Sequence, residues 1–258
     1  MFMNLSMRKI VVKSACRWTM LVVAAALVLV AAYGFAQDGR QHQEILRYEV
    51  TWNGSKAGHG DITTKRGPRQ TEVIAQAVSD GALKAVCEIW SRARATFTAK
   101  SYRPSAYRFT LKSNLLRQEM VDVKFDHKNK TVQINKILGG EREAHSERLG
   151  GAAVYDPITA AFLLRGQKNF NRPMFVDIFD GKDKARLLVT PRGTEQIKTR
   201  TGVHPAYRLN LKLVKIRGNE ELATGQLWIS NDRYRLPLLL TSSHVVGTVR
   251  FELVQAQL

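Results

Sequence analysis

Apolar and polar residues alternate with a period of two along most of the chain from Ile45 onward. Leu46, Tyr48, Val50 and Trp52 fall on one face of a strand, with Arg47, Glu49 and Thr51 on the other. Asn53-Gly54 predicts a tight hairpin turn, since both residues tolerate the left-handed backbone that such turns need. Gly58 to Lys65 is the expected return strand. Thr71 to Val78 forms a third; Val73, Ala75 and Ala77 alternate with Glu72, Ile74, Gln76 and Val78, which leaves its facing open. Ala82 to Trp90 is expected to be a short helix, because Leu83, Val86 and Trp90 fall at i, i+3 and i+7. Strands resume at Arg94 to Lys100, around Tyr107, Phe109 and Leu111, around Val121, Val123 and Phe125, and at Thr131 to Ile137. Leu138 to Ala153 reads as a charged loop flanked by glycine.

Residues 155–165 then write one short helix with both ends marked. Asp156 can accept from the first free backbone N–H groups, and Pro157 sits where its missing N–H costs nothing. Gly166 is the expected left-handed stop, with Arg165 beside the negative helix end. Ile158, Ala161, Phe162 and Leu164 or Arg165 lie near helical spacing, so one face can bury. Beyond it come expected strands at Met174 to Phe179, Ala185 to Thr190, Thr194 to Thr201 (a polar edge strand), Ala206 to Ile216, Leu222 to Ser230, Leu236 to Ser243 and Gly247 to Val254. Asp180-Gly181-Lys182-Asp183 is a tight turn. Roughly a dozen short strands at regular spacing predict an all-β, mainly antiparallel sandwich or barrel, with one helix at about 156–165 packed on the sheet.

The first residues change the picture of compartment. Arg8, Lys9, Lys13 and Arg17 precede an apolar run from Thr19 to Ala32, and Gly34-Phe35-Ala36 places small residues where a signal peptidase cuts. The expected organisation is a signal peptide at 1–36, a polar linker at 37–43 and a single antiparallel β-domain at 44–258. The protein is then periplasmic; a signal left uncut would tether the same domain to the membrane. Cleavage leaves 222 of the 258 residues and lowers the formal charge from +18 to +14. It also removes Cys16 and leaves Cys87, which reads as a small buried residue. An excess of positive charge spread along an exported domain points to anionic partners such as anionic lipid or lipopolysaccharide, and export argues against nucleic acid. Membrane contact is expected only through the signal segment or surface charge.

Several stretches together resemble domain-of-unknown-function family 3108, a family of exported bacterial proteins. They are Tyr48-Glu49-Val50 with Gly58 and Gly60, Phe125-Asp126, Asp156-Pro157 with Arg165, and Asp180-Gly181-Lys182-Asp183. Further on come the run from Gly225 to Asp232, Arg235-Leu236-Pro237-Leu238, and Gly247 with Glu252-Leu253. The resemblance spans about 45–254. It implies a mostly antiparallel periplasmic β-domain, an incomplete barrel wrapping a helix. Open barrels of that general kind include lipoprotein carriers, which hold acyl chains in the concave face, an analogy of fold alone.

Candidate chemistry is sparse. His59 and Asp61 share a strand face at i, i+2, but no third ligand stands near, and a solvated polar face accounts for them. Asp177, Asp180 and Asp183 lack the ordered oxygen set of a calcium loop, and Asp180-Gly181 is hairpin chemistry. His127, His145, His204 and His244 have no paired spacing, and no Gly-x-Ser-x-Gly elbow occurs. No catalytic residue, metal site or cofactor is expected. Arg165 ends an otherwise apolar helix. Either a carboxylate holds it inward, Asp156 or an acid on a strand, or it faces a ligand phosphate or carboxylate as a bidentate clamp. Phe162 and Trp228 read as core aromatics; in an open barrel they join Arg165 as candidate ligand-binding residues. The expected function is a non-enzymatic binding domain for a hydrophobic or anionic envelope component. The alternatives are a scaffold that contacts envelope proteins through its sheet edges, and a hydrolase whose constellation the sequence hides.

Overall fold

The structure, a computed structural model, describes residues 42–115, 117–149, 153–244 and 247–258. The expected signal peptide at 1–36 and the first part of the linker lie outside the described residues. The strands are β1 (His42–Trp52), β2 (Ser55–Arg66), β3 (Gln70–Ser79), β4 (Ile89–Thr98), β5 (Pro104–Ser113), β6 (Glu119–Asp126), β7 (Thr131–Leu138), β8 (Glu141–Arg148), β9 (Val154–Tyr155), β10 (Met174–Phe179), β11 (Lys184–Thr199), β12 (Gly202–Lys215), β13 (Glu221–Ser230), β14 (Pro237–His244) and β15 (Gly247–Gln257). Two helices accompany them, α1 (Gly81–Val86) and α2 (Pro157–Arg165). The strand β1 begins at His42, two residues inside the expected linker.

These strands form one sheet in the order β8-β7-β6-β5-β4-β3-β2-β1-β15-β14-β13-β12-β11-β10-β9. Neighbours are antiparallel except β9, which lies parallel to β10. The described chain enters at the middle of the sheet, meanders out to β8, crosses to the far edge, and meanders back until β15 pairs with β1. The result is an incomplete barrel with edges at β8 and β9. Short local steps dominate because each hairpin turn closes at little entropic cost; the single long-range pairing is β1 with β15.

The hairpin signals act as expected. Asn53 and Gly54 both take positive φ, and Trp52 pairs directly with Ser55. The ambiguous β3 turns Val73, Ala75 and Ala77 inward. Gly181, in the turn after β10, reaches across to the other half of the barrel. A Cβ there would clash with Val121 and lie 2.9 Å from Val123 on β6. With φ at +92° as well, the position accepts only glycine without strain. Beside it, Lys184 donates from Nζ to the Arg148 carbonyl at 2.9 Å, which ties β11 to the end of β8 across the seam.

Four expectations are corrected. The helix expected at 82–90 ends at Val86, and Trp90 belongs to β4, where Ile89, Ser91, Ala93, Ala95 and Phe97 supply the stronger period-two signal. The loop expected at 138–153 contains β8, whose faces are both polar and mostly exposed, so no alternation marks it. Its charges suit a sheet edge that must not pair with other chains. The two strands expected at 185–190 and 194–201 are one bulged strand, β11. Finally, Gly166 is right-handed, with φ −73° and ψ −1°. Space explains the glycine better than handedness, because a Cβ there would lie 2.7 Å from the Tyr102 hydroxyl.

The helix α2 is the keel of the core. Asp156 caps it by accepting from the Thr159 amide at 3.0 Å. Eight of its nine residues are buried, so it is enclosed all round rather than amphipathic. It packs on β4 from one half of the sheet and on β9 and β10 from the other. Phe162 is fully buried and meets the Phe97 ring edge-on at 4.8 Å. Inner-face residues such as Leu46, Ile62, Val121, Leu209 and Phe251 join the helix in one continuous core. The bulge between Pro191 and Thr194 turns the β11–β12 ribbon outward. Its tip lies on the outer face of the sheet, where Arg200 donates from its amide to Glu252 at 2.8 Å and from its guanidinium to Glu49.

Candidate functional site

The C-terminal end of α2 meets a set of arginines. Arg165 is 1% exposed and makes a two-pronged ion pair with Glu44, at 3.1 Å from Nη1 and 2.8 Å from Nη2. Nε and Nη2 also donate to the Tyr234 carbonyl. That carbonyl is presented by the loop 231–236, which Asp232 organises by accepting from the amides of Tyr234 and Arg235 at 2.8 and 3.0 Å. Tyr48, two pleat repeats along β1 from Glu44, donates its hydroxyl to the Pro237 carbonyl at 3.0 Å; burial raises its pKa well above the ordinary tyrosine range, so it stays neutral. Arg165 is therefore held inward by a strand acid. Asp156, the other expected partner, lies at the opposite end of the helix, where burial raises its carboxyl to about 6.

Arg66, at the end of β2, is a second cation beside the same acid. Its guanidinium lies 5.9 Å from the Phe162 ring centroid. Burial and the like charge of Arg165 pull its proton affinity below the usual arginine range, while Glu44 and Tyr102 act the other way. Both carboxylate oxygens of Glu44 are already taken by Arg165. Among the described residues Arg66 has no hydrogen-bond or ion-pair partner, and it is half-buried. Arg235 completes the set, donating to the Asn231 side chain at 3.1 Å and to the Lys168 carbonyl at 2.8 Å.

The connections around this end extend the charge. Segments 66–70, 98–104 and 165–173 hold Arg66, Arg69, Lys100, Arg103, Lys168 and Arg172 in addition to Arg165, and no acid. They are neighbours in space: the Ala99 amide donates to the Arg69 carbonyl at 3.0 Å, and Tyr102 packs on Gly166. The turns on the other side of the barrel behave differently. There Lys56 pairs with Asp80, Arg117 with Glu141, Lys182 with Glu119 and Lys215 with Asp183. These three connections thus gather cations in a rim around the end of α2 with no acid among them.

The three expected ligand-binding residues do not form one site. Phe162 and Arg165 share α2 and are sealed in the core, and Arg165 is taken by Glu44 and Tyr234. Trp228 lies on the outer face, in register with Leu239 and Arg208. The β11–β12 ribbon covers it, its indole donating to Glu195 at 2.6 Å. The bland readings hold for the other candidates. Asp61 pairs with Arg47 at 3.4 Å on the outer face. Asp177 receives two bonds from Arg186, Asp180 accepts from the amides of Lys182 and Asp183, and Asp183 pairs with Lys215. Cys87 is buried. Among the described residues no three of the His, Cys, Asp and Glu side chains gather as metal ligands. Nor does any helix there have the length and apolarity to cross a membrane. The signal for the rim was present in the sequence, but split over connections some thirty to a hundred residues apart, and only the pairing of the strands brings them together.

Fold and site define a class: an open antiparallel β-barrel that encloses a short helix and carries a basic rim at that helix's end. The chain belongs to the family described as "Protein of unknown function (DUF3108)", which matches residues 47–254. No curated protein matches the chain. Among solved structures, the barrel is similar to a "beta-barrel-like protein of domain of unknown function DUF1849" from Brucella abortus, with a TM-score of 0.55 at 11% identity over 83% of this chain and 97% of that one. That likeness shows the fold alone. Weaker likenesses are to structures described as "a putative exported protein with YmcC-like fold" from Bacteroides fragilis (TM-score 0.37, 10% identity, 88% of this chain and all of that one) and "a putative lipoprotein" from Parabacteroides distasonis (TM-score 0.36, 11% identity, 86% and 100%).

Proposed function

We propose that this is an exported, non-enzymatic binding domain of the periplasm, and that it takes an anionic component of the cell envelope at the basic rim. The export rests on the basic and apolar pattern of residues 8–36. The observation that carries the binding is the division of charge: three cationic connections without an acid of their own at the α2 end, paired charges at the other. A lumen filled by α2 and its aromatic contacts argues for a ligand met at the rim rather than acyl chains held in the concave face. Exposed Arg69, Lys100, Arg103 and Lys168 would each gain about 1 kcal/mol at an anionic surface, roughly 4 kcal/mol together. That is binding of about millimolar strength, so a rim of this kind works as a salt-sensitive, reversible contact. Sedimentation of the full-chain protein with phosphatidylglycerol-containing vesicles tests it. Binding that fails with neutral phosphatidylcholine vesicles and fades at about 0.5 M salt supports the reading; equal behaviour with both kinds of vesicle rejects it.

One observation favours a scaffold as the second reading. Phe175 and Leu188 sit side by side on the outer face, 57% and 37% exposed, next to the stretch of β10 that the two-residue β9 does not cover. Protein partners cross-linking at Phe175 rather than at the rim would favour it.

A further inference from the structure

We infer that Arg66 is the recognition point of the rim, and that it takes the phosphate of an anionic phospholipid headgroup presented by a membrane surface. This deepens the proposal of an anionic envelope ligand and rests on it.

Three observations converge on Arg66. First, the polar account at the end of α2 is complete for Arg165 and incomplete for its neighbour. Glu44 spends both oxygens on Arg165, and Arg66 is left half-buried with no acceptor among the described residues. A guanidinium withdrawn from water needs hydrogen-bond acceptors. Second, the back of the site is closed. Phe162 stands 5.9 Å behind the guanidinium with no exposure of its own, so a group arriving at Arg66 comes from the rim side and stops there. A single tetrahedral anion fits that arrangement, its oxygens facing the planar fork of the guanidinium in pairs. Third, the flanking cations are spread outward. Arg69, Lys100 and Arg103 are exposed on the two connections bound to each other through the Ala99–Arg69 hydrogen bond. Several exposed cations on two connections beside one half-buried guanidinium suit a surface of many anionic headgroups, with one phosphate at Arg66 and its neighbours opposite the exposed cations.

The site asks for charge and for geometry, and two substitutions separate them. Arg66→Gln removes both; Arg66→Lys keeps the charge and removes the fork. Arg69→Gln serves as an exposed-charge control. The Arg66 guanidinium makes no hydrogen bond or ion pair among the described residues, so the fold is expected to hold without it, and an unchanged thermal midpoint checks that. The assay is the affinity of the full-chain protein for phosphatidylglycerol-containing vesicles, with inorganic phosphate as competitor. The expected result is a loss of about tenfold or more for Arg66→Gln, nearly as much for Arg66→Lys, and only two- to threefold for Arg69→Gln. Inorganic phosphate at matched concentration should displace the vesicles poorly. If wild-type protein binds the vesicles and Arg66→Gln binds as well, Arg66 is not the recognition point, while the anionic-envelope reading stands. Full affinity in Arg66→Lys overturns the bidentate recognition. Displacement by inorganic phosphate at matched concentration makes the source free phosphate and overturns the membrane. No binding by wild type overturns the inference and the functional reading together.

Discussion

Glu44 and Arg165 are separated by 121 residues in sequence and joined in the core, and removing either partner has a cost that their surroundings determine. Arg165 is 1% exposed and the Glu44 side chain 10%. Substitution of Glu44→Leu leaves a buried guanidinium with only the Tyr234 carbonyl, a change worth about 3–5 kcal/mol. It also leaves Arg165 and Arg66 near each other with no acid between them. Arg165→Met is different, because Arg66 stands near enough to Glu44 to take over its charge. The loss should therefore be smaller, about 2–3 kcal/mol. The double variant Glu44→Leu/Arg165→Met removes both charges from the core and should be more stable than the Glu44→Leu single variant, since apolar replacement of a buried pair is often close to neutral. Urea denaturation followed by tryptophan fluorescence reads the series. With a slope of about 2 kcal/mol per molar urea, Glu44→Leu should lower the midpoint by roughly 1.5–2.5 M. A Glu44→Leu midpoint within about 0.3 M of wild type, or a double variant less stable than both singles, would refute the clamp as described.

Further expectations follow from other parts of the core. Asp156 is buried and its carboxyl is raised to about 6 from 3.8, so the folded state holds its proton more tightly than the unfolded chain. Its contribution to stability is complete below about pH 4 and is lost as pH rises through about 6. Asp156→Asn keeps a capping side chain without the charge. The variant should match or exceed wild type above pH 6, by up to about 3 kcal/mol, and the gain should vanish near pH 4; chemical denaturation at both pH values would expose a reversed trend. Gly181→Ala puts a methyl group against Val121 and Val123 at positive φ, and should cost about 2–5 kcal/mol in a thermal melt, whereas Gly140→Ala, at an open turn with φ +95°, should cost only the backbone strain, about 1–2 kcal/mol. Phe162→Ala should cost about 3–5 kcal/mol, because the ring is fully enclosed by Phe97 and the sheet.

The elements that were legible in the sequence are those whose signal is local. Asn53-Gly54 encodes its own turn, Asp156-Pro157 its own helix start, and strands with one apolar face declare themselves by alternation. Where the local signal is weak, the reading failed for a physical reason. Strand β8 is polar on both faces because it is an edge, so nothing distinguishes it from a loop. Trp90 fell into helical spacing with Leu83 and Val86 by coincidence, and the stronger alternation from Ile89 to Phe97 prevailed. Arg165 is unusual at the end of an apolar helix, but its pairing with Glu44 exists only once β1 lies beside α2. Trp228 points outward between the core residues Leu227 and Ile229, and the ribbon that covers it there is turned out by a bulge in β11, which a single chain does not announce. The rim itself is spread over connections that are polar and unremarkable one by one.

Hydrogen–deuterium exchange of the full-chain protein, with and without phosphatidylglycerol-containing vesicles, tests the central claim most directly. Slower exchange confined to the connections 66–70, 99–103 and 166–172 is the result this account predicts. Protection at the paired-charge end near Asp80 and Glu119, protection along β10 instead, or no protection at all would contradict it.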